Sequence, residues 1–372
     1  MRMSERLQNA PLSGIRKMFD LAGSDSINLS LGEPDVLPPE EALKGMSDAA
    51  NAGLNRYGPT PGIPQLREAV AARYRGMEKD NIMITPSGTT ALMIVTQSLI
   101  DPGDETLVPS PGFVVYGPHT MLSGGKAVDY RLTDDDFQPD IDDIQKKITK
   151  RTKAIFLNYP SNPTGGTLSE DSFRAVRDIA KDNKITIVSD EVYEPFVYEG
   201  KHGSFISELD NAVVVNGFSK MMAVTGWRMG FVTAGKDVIR DLTKMSYHMC
   251  ACPNMPAQYG ILAAMPTIDD YLNRVRKVYK KRRDLITSRI NEIEGLRMNA
   301  PKGAFYAFPS FSFGMTSEEY AMRLVKSGLI CVPGSAFGAY GEGHLRFSYA
   351  ADEHKISRGM DILEKVSNEI RE

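Results

Sequence analysis

Lys220 lies in Asn216-Gly217-Phe218-Ser219-Lys220, directly after the apolar run Ala212 to Val215. Eight residues further on, Arg228 stands in Gly226-Trp227-Arg228-Met229-Gly230. A lysine just past a buried strand suits an amine held in a pocket to form an imine. The Ser219 hydroxyl and the Arg228 guanidinium would serve a phosphate. Together these functions point to pyridoxal 5'-phosphate (PLP). Lys220 alone carries little weight, because most of the 44 Lys and Arg side chains belong in solvent. The case rests on its companions.

Ser87-Gly88-Thr89-Thr90 falls between a strand and a helix, a turn that aims free N–H groups and the positive helix end at an anion. A plain N-cap by Ser87 or Thr89 would use the same residues. Neither a nucleoside-triphosphate loop nor a G-x-G-x-x-G fingerprint is present. Asn158 to Gly166 reads NYPSNPTGG, a rigid loop after a strand end where Asn162 could offer its amide to a ligand. An ordinary Asn-Pro turn is the alternative. Asp190 ends the buried run Ile187-Val188-Ser189, where a carboxylate is costly unless paired. A protonated pyridine nitrogen would suit it, with Tyr193 close by, whereas an N-cap would make it structural. Arg346, in His344-Leu345-Arg346-Phe347-Ser348, needs an anion. A carboxylate ligand, a structural ion pair and an exposed edge-strand position are all open for it.

The elements that position these groups alternate. Strands are expected at 27–31, 81–85, 105–108, 126–131, 153–158, 185–189, 212–216 and 229–233. Helices are expected at 39–52, 65–75, 87–99 and 170–182, with a Gly/Pro-rich loop at 55–64. Short apolar runs separated by helices predict an α/β fold with a mainly parallel sheet covered on both faces. A long Lys/Arg-rich helix at 269–293 marks a shift. Segments at 303–308 and 345–348 and helices at 317–327 and from 352 onward complete a smaller α+β part. The expected organisation is a large domain of residues 45–275 and a small domain of 1–44 and 276–372.

The 372 residues allow more than one domain, and a formal net charge of −3 gives no reason to expect nucleic acid or a membrane surface as partner. Three cysteines build no disulfide framework, and Cys250-Ala251-Cys252 lacks metal-knuckle spacing, so no metal is expected. A cytoplasmic setting follows from that usage. The start has no apolar signal core, and no run approaches the length needed to span a bilayer.

The landmarks SLGEPD, RYGPTPGIPQLREAV, PSGTTAL, NYPSNPTGG, VSDEVYE, GFSKMMAVTGWRMG and LRFSYA occur in this order. With them the chain resembles the PLP-dependent aminotransferases of class I/II, the aspartate-aminotransferase-like fold type I group, from about Leu12 to the C-terminus. The resemblance implies that Lys220 forms the internal aldimine and later moves the proton. It implies that Asp190 partners the pyridine nitrogen and that Tyr193 and Asn162 bond the ring's 3-oxygen. Ser87, Gly88, Thr89, Ser219 and Arg228 would cradle the phosphate. Arg346 would grip the substrate α-carboxylate, helped by Asn162 and the Gly32 backbone. Tyr57 would reach the phosphate of a neighbouring subunit, which implies a homodimer with shared sites. The substrates implied are an L-amino acid and a 2-oxo acid such as 2-oxoglutarate.

Two departures bear on specificity. The ring-stacking position falls on Phe113, which keeps the apolar face and lacks a polar handle. Relatives that use aspartate often carry a lysine where this chain has Thr89, so a distal carboxylate needs another donor. Arg16 is one candidate, and a surface helix arginine is the plainer reading of it. Aspartate leads as amino donor; alanine, aromatic and branched donors, or a carbon–sulfur β-lyase activity, are the alternatives. A non-catalytic PLP-binding regulator is a further class, disfavoured because no basic DNA-binding segment is evident.

Overall fold

A computed structural model of the chain describes residues 3–8, 10, 18, 23, 25–208 and 210–372. The first strand, β1 (Ile27–Asn28), is short. Seven strands then build the central sheet: β2 (Ile82–Thr85), β3 (Glu105–Ser110), β4 (Lys126–Arg131), β5 (Thr152–Asn158), β6 (Thr186–Asp190), β7 (Ala212–Gly217) and β8 (Gly230–Thr233). Their order is β2-β8-β7-β6-β5-β3-β4. Only β8 runs against its neighbours, pairing antiparallel with both β2 and β7. The parallel strands are apolar on both faces because helices cover both; Ile187, Val188, Val214 and Val215 are all fully buried.

The later chain adds β9 (Leu296–Arg297), β10 (Tyr306–Ala307), β11 (Ser310–Phe311), β12 (Leu329–Ile330), β13 (Val332–Pro333) and β14 (Leu345–Ser348). β14 lies between β10 and β13, while β1 pairs in parallel with β12. The helix starts follow local chemistry. Ser169 caps the helix Glu170–Asp182, and Thr316 with Glu319 forms a capping box on Ser317–Lys326.

The mainly parallel α/β sheet matches expectation. The strand expected over 27–31 stops at Asn28, because Ser30 turns back onto the Asn28 side chain. Four helices of seven or more residues lie where no element was expected: Tyr116–Leu122, Ile141–Lys147, Lys236–Cys250 and Met255–Ala264. Among the described residues, no helix is long and apolar enough to cross a membrane.

What matters for the site is which sheet edge gathers the chemistry. The carboxyl ends of the parallel strands deliver Asn158 (β5), Asp190 (β6) and the Phe218–Lys220 turn (β7) to one edge. β2 ends there too and hands over to Ser87. Antiparallel β8 starts at that same edge, so the residues preceding it, Arg228 included, arrive with the rest. The register pairs Gly230 with both Thr85 and Gly217.

Candidate active site

A cavity of about 340 Å³ opens at this edge. Its lining includes Gly32, Ser87, Gly88, Thr89, Phe113, Asn162, Asp190, Tyr193, Ser219, Lys220, Arg228 and Arg346. Residues spread over most of the sequence thus converge on one volume. Tyr57 does not line it; its side chain is 91% exposed. Arg16 lies outside the described residues.

One end of the cavity presents a helix start and the Arg228 side chain. Ser87 caps the helix Gly88–Leu99, its Oγ accepting from the Thr90 N–H at 3.1 Å. The capping role and an anion-facing role coexist, because the cap leaves the N–H groups of Gly88 and Thr89 without partners among the described residues. β8 passes directly beneath: a Cβ at Gly230 would lie 2.6 Å from the Gly88 nitrogen. Only glycine lets backbone approach so closely. Arg228 sits in the left-handed region at φ 57° and donates to the Thr225 carbonyl at 3.1 Å.

At the floor, Asp190 is 1% exposed. Its Oδ2 accepts from the Tyr116 hydroxyl at 2.8 Å, and the Val192 N–H reaches Oδ1 only at 3.4 Å. Burial raises its pKa to about 6, against the lowering by the Tyr116 bond. No cation pairs with it among the described residues. The Lys220 ammonium donates to the Gly32 carbonyl at 2.6 Å. Desolvation lowers its pKa to about 8; Glu33 opposes that, while Arg228 and Arg346 add to it.

On the opposite wall, Arg346 is fully enclosed in the middle strand of its sheet, so the exposed edge-strand alternative is excluded. It makes no ion pair among the described residues. It donates to the Asn162 Oδ1 at 2.9 Å and to the Ser30 carbonyl, and its Nε is left without a partner. The guanidinium lies 4.7 Å from the Tyr306 ring centre and 4.9 Å from that of Phe337. A buried cation held only by neutral groups is suited to an anionic ligand.

A family model, aminotransferase class I and II, matches residues 24–363. The chain belongs to the class I and II aminotransferases. A probable aspartate aminotransferase of Methanocaldococcus jannaschii is 38% identical, covering 98% of this chain and 99% of that one. An aromatic-amino-acid aminotransferase 2 of Thermococcus litoralis is also 38% identical, covering 99% of both. Among solved structures, the aspartate aminotransferase of Thermus thermophilus with maleate aligns at a TM-score of 0.94 and 32% identity, covering 98% of this chain and 100% of that one. The enzyme is therefore an aminotransferase of this class, with the fold of those relatives.

In this aminotransferase, Tyr116, Tyr306 and Glu33 are among the residues at the site that no sequence motif singled out. Tyr116, which holds Asp190, is hidden in the apolar run Phe113-Val114-Val115-Tyr116, with no spacing to mark it. Tyr306 lines the cavity from within Ala304-Phe305-Tyr306-Ala307-Phe308, a run that reads as core. Glu33 lines it too and accepts from the Thr225 hydroxyl; its place beside Gly32 in SLGEPD was the available signal.

Proposed function

We propose that the cavity holds pyridoxal 5'-phosphate and that the enzyme moves an amino group from an L-amino acid, aspartate first among candidates, to a 2-oxo acid such as 2-oxoglutarate. The observation that carries the reading is that Lys220, Asp190, Arg228 and Arg346 line one cavity with complementary chemistry. The donor set fits the cofactor piece by piece. A dianion suits the Gly88–Leu99 helix start, Ser219 and Arg228 over the floor that Gly230 leaves open. A ring cation suits Asp190, an aromatic face suits Phe113, and a ring oxygen suits Tyr193 and Asn162.

When bound, the cofactor supplies an electron sink for the α-carbon. The chain's own residues do the rest. Arg346, with Asn162 and the Gly32 backbone, would fix the α-carboxylate and so orient the α-hydrogen. Lys220, whose lowered pKa leaves part of it neutral near pH 8, would accept that proton at Nζ and return it one carbon away. Asp190, kept from water by Tyr116 and the strand ends, would hold the ring nitrogen's positive charge in place. Tyr57, exposed at 91%, is free to reach a neighbouring subunit, which supports a homodimer with shared sites. The β1–β12 pairing supports grouping residues 1–44 with 276–372 against a large 45–275 domain; the long helix Ile268–Asn291 would span the border. The free cysteines Cys250, Cys252 and Cys331 fit a cytoplasmic setting.

A second reading of the donor, an aromatic or other apolar amino acid, has its own support. The cavity's only cations among the described residues are Lys220, Arg228 and Arg346, and each already has a task. Leu31, Leu92 and Phe113 line the same space. A distal carboxylate would then need a donor from the N-terminal stretch around Arg16 or from a second subunit. A half-reaction screen decides. Single amino acids are added to the PLP-loaded enzyme, and conversion of its absorbance to the pyridoxamine form is followed. Failure of aspartate and glutamate together with success of an apolar donor would remove the aspartate assignment. Pyruvate and ammonia released from cystathionine without any 2-oxo acid would instead favour β-lyase chemistry.

A further inference from the structure

Tyr193 and Tyr306 face each other with their hydroxyl oxygens 2.6 Å apart and their rings nearly perpendicular, at 86°. Both are buried, and both line the cavity. Each hydroxyl carries one proton, and the contact between them uses only one of the two. Neither oxygen has another hydrogen-bond partner among the described residues. The pair therefore offers one spare O–H donor, and the cavity is where an acceptor can meet it. Burial holds both phenols well protonated.

Which hydroxyl offers that spare proton is decided by the surroundings of Tyr306. Its oxygen is pressed against the Gly32 backbone, since a Cβ at Gly32 would fall 1.8 Å from it. Its ring is stacked under the Arg346 guanidinium, 4.7 Å away. A nearby cation makes a phenol a better donor and a poorer acceptor. Tyr306 is thus biased to give its proton to Tyr193, and Tyr193 is left to give its own to the cavity.

We infer that Tyr306 is a positioning residue that polarises the Tyr193 hydroxyl toward the cofactor's ring oxygen, linking the Arg346 wall to the cofactor through two phenols in series. The inference rests on the proposed contact of Tyr193 with that oxygen. Hydrogen bonds in series strengthen one another, so the last donor is stronger than a lone tyrosine. Arg346 would be coupled to the ring oxygen without touching it.

The test is a pH titration of the visible absorbance of the PLP-loaded enzyme. A donor to the ring oxygen stabilises its anionic form and lowers the midpoint, so a weakened donor raises it. Tyr306→Phe keeps the ring over Arg346 and should raise the midpoint by about half a pH unit. Tyr193→Phe should raise it more, and the double variant should match Tyr193→Phe alone, because Tyr306 acts through Tyr193. Placing 3-fluorotyrosine at position 306, a stronger donor of the same shape, should lower the midpoint. It also serves if the phenylalanine variant fails to fold. An unmoved midpoint in Tyr306→Phe, or a double variant in which the two shifts add in full, overturns the inference while leaving the PLP reading intact. An unmoved midpoint in Tyr193→Phe overturns the contact itself and the inference with it.

Discussion

Asp190 and Glu191 are adjacent, acidic and buried, yet they look into different parts of the molecule. Glu191 faces away from the cavity and is fully served by the chain. Its Oε1 accepts from the Ser189 hydroxyl at 2.8 Å and the Phe205 N–H at 3.0 Å, and its Oε2 meets His202 Nε2 at 2.8 Å. Burial works against a charge on His202, but Glu191 outweighs it and raises the histidine's pKa. Asp190 faces the cavity with one good hydrogen bond, one long one and, among the described residues, no counter-ion. The fold stabilises one carboxylate with its own groups and leaves the other short of partners. A buried charge short of partners therefore marks a binding site, whereas a buried charge with a full set marks a brace.

Four measurements test that contrast. The largest effect is expected at Lys220, which lines the cavity with Asp190. Lys220→Ala should lower 2-oxo acid production by at least about 10³-fold, with circular dichroism unchanged. Next, Asp190→Asn should cost roughly 10²- to 10³-fold in kcat. Glu191→Gln should leave kcat within about threefold but destabilise the fold by about 1–3 kcal/mol in denaturant titrations. The reverse pattern would break the division between site and brace. Third, Arg346→Lys should raise KM for the amino donor about 10- to 100-fold with less change in kcat, since the ammonium cannot present a fork.

The smallest effect concerns the protein without cofactor. Asp190 has a folded pKa of about 6 against an ordinary 3.8, so the folded state binds more protons between those values. Its contribution is intact below about pH 4 and is lost as pH rises through about 6, a penalty of about 3 kcal/mol at neutral pH. Asp190→Asn should therefore melt a few degrees above the parent at pH 7.5, with the gap closing toward pH 5. A gap that widens on acidification would show that Asp190 has a cation partner in the folded chain.

The residues of the candidate site were legible in the sequence where they stood at element ends. Lys220, Asp190 and Ser87 each follow or close an apolar run, and their polar character there is the signal. Tyr116 and Tyr306 were not legible, because a tyrosine inside an apolar run has the composition of core; only the fold shows which hydroxyl meets Asp190 and which meets Tyr193. The helix Met255–Ala264 was missed for a related reason. It is apolar nearly all round, packs tightly against Glu40–Asn51, and so lacks a polar face to set a period. The left-handed turn at Arg228 was also invisible, since an arginine gives no hint of it.

The antiparallel strand β8 bears on how the chain emerges during synthesis. β2 stands at the edge of the sheet, and among the described residues β8 is its one strand neighbour. Residues 82–85 leave the ribosome long before residues 230–233, and in that interval β2 has no strand to pair with. The Ser87–Thr89 turn likewise waits for Gly230 to slide beneath it. A nascent chain that ends before β8 would own Asp190 and even Lys220 and still lack the Gly230 backbone beneath the turn proposed to hold a phosphate. The proposed cofactor would then be expected to bind only after β8 has joined the sheet.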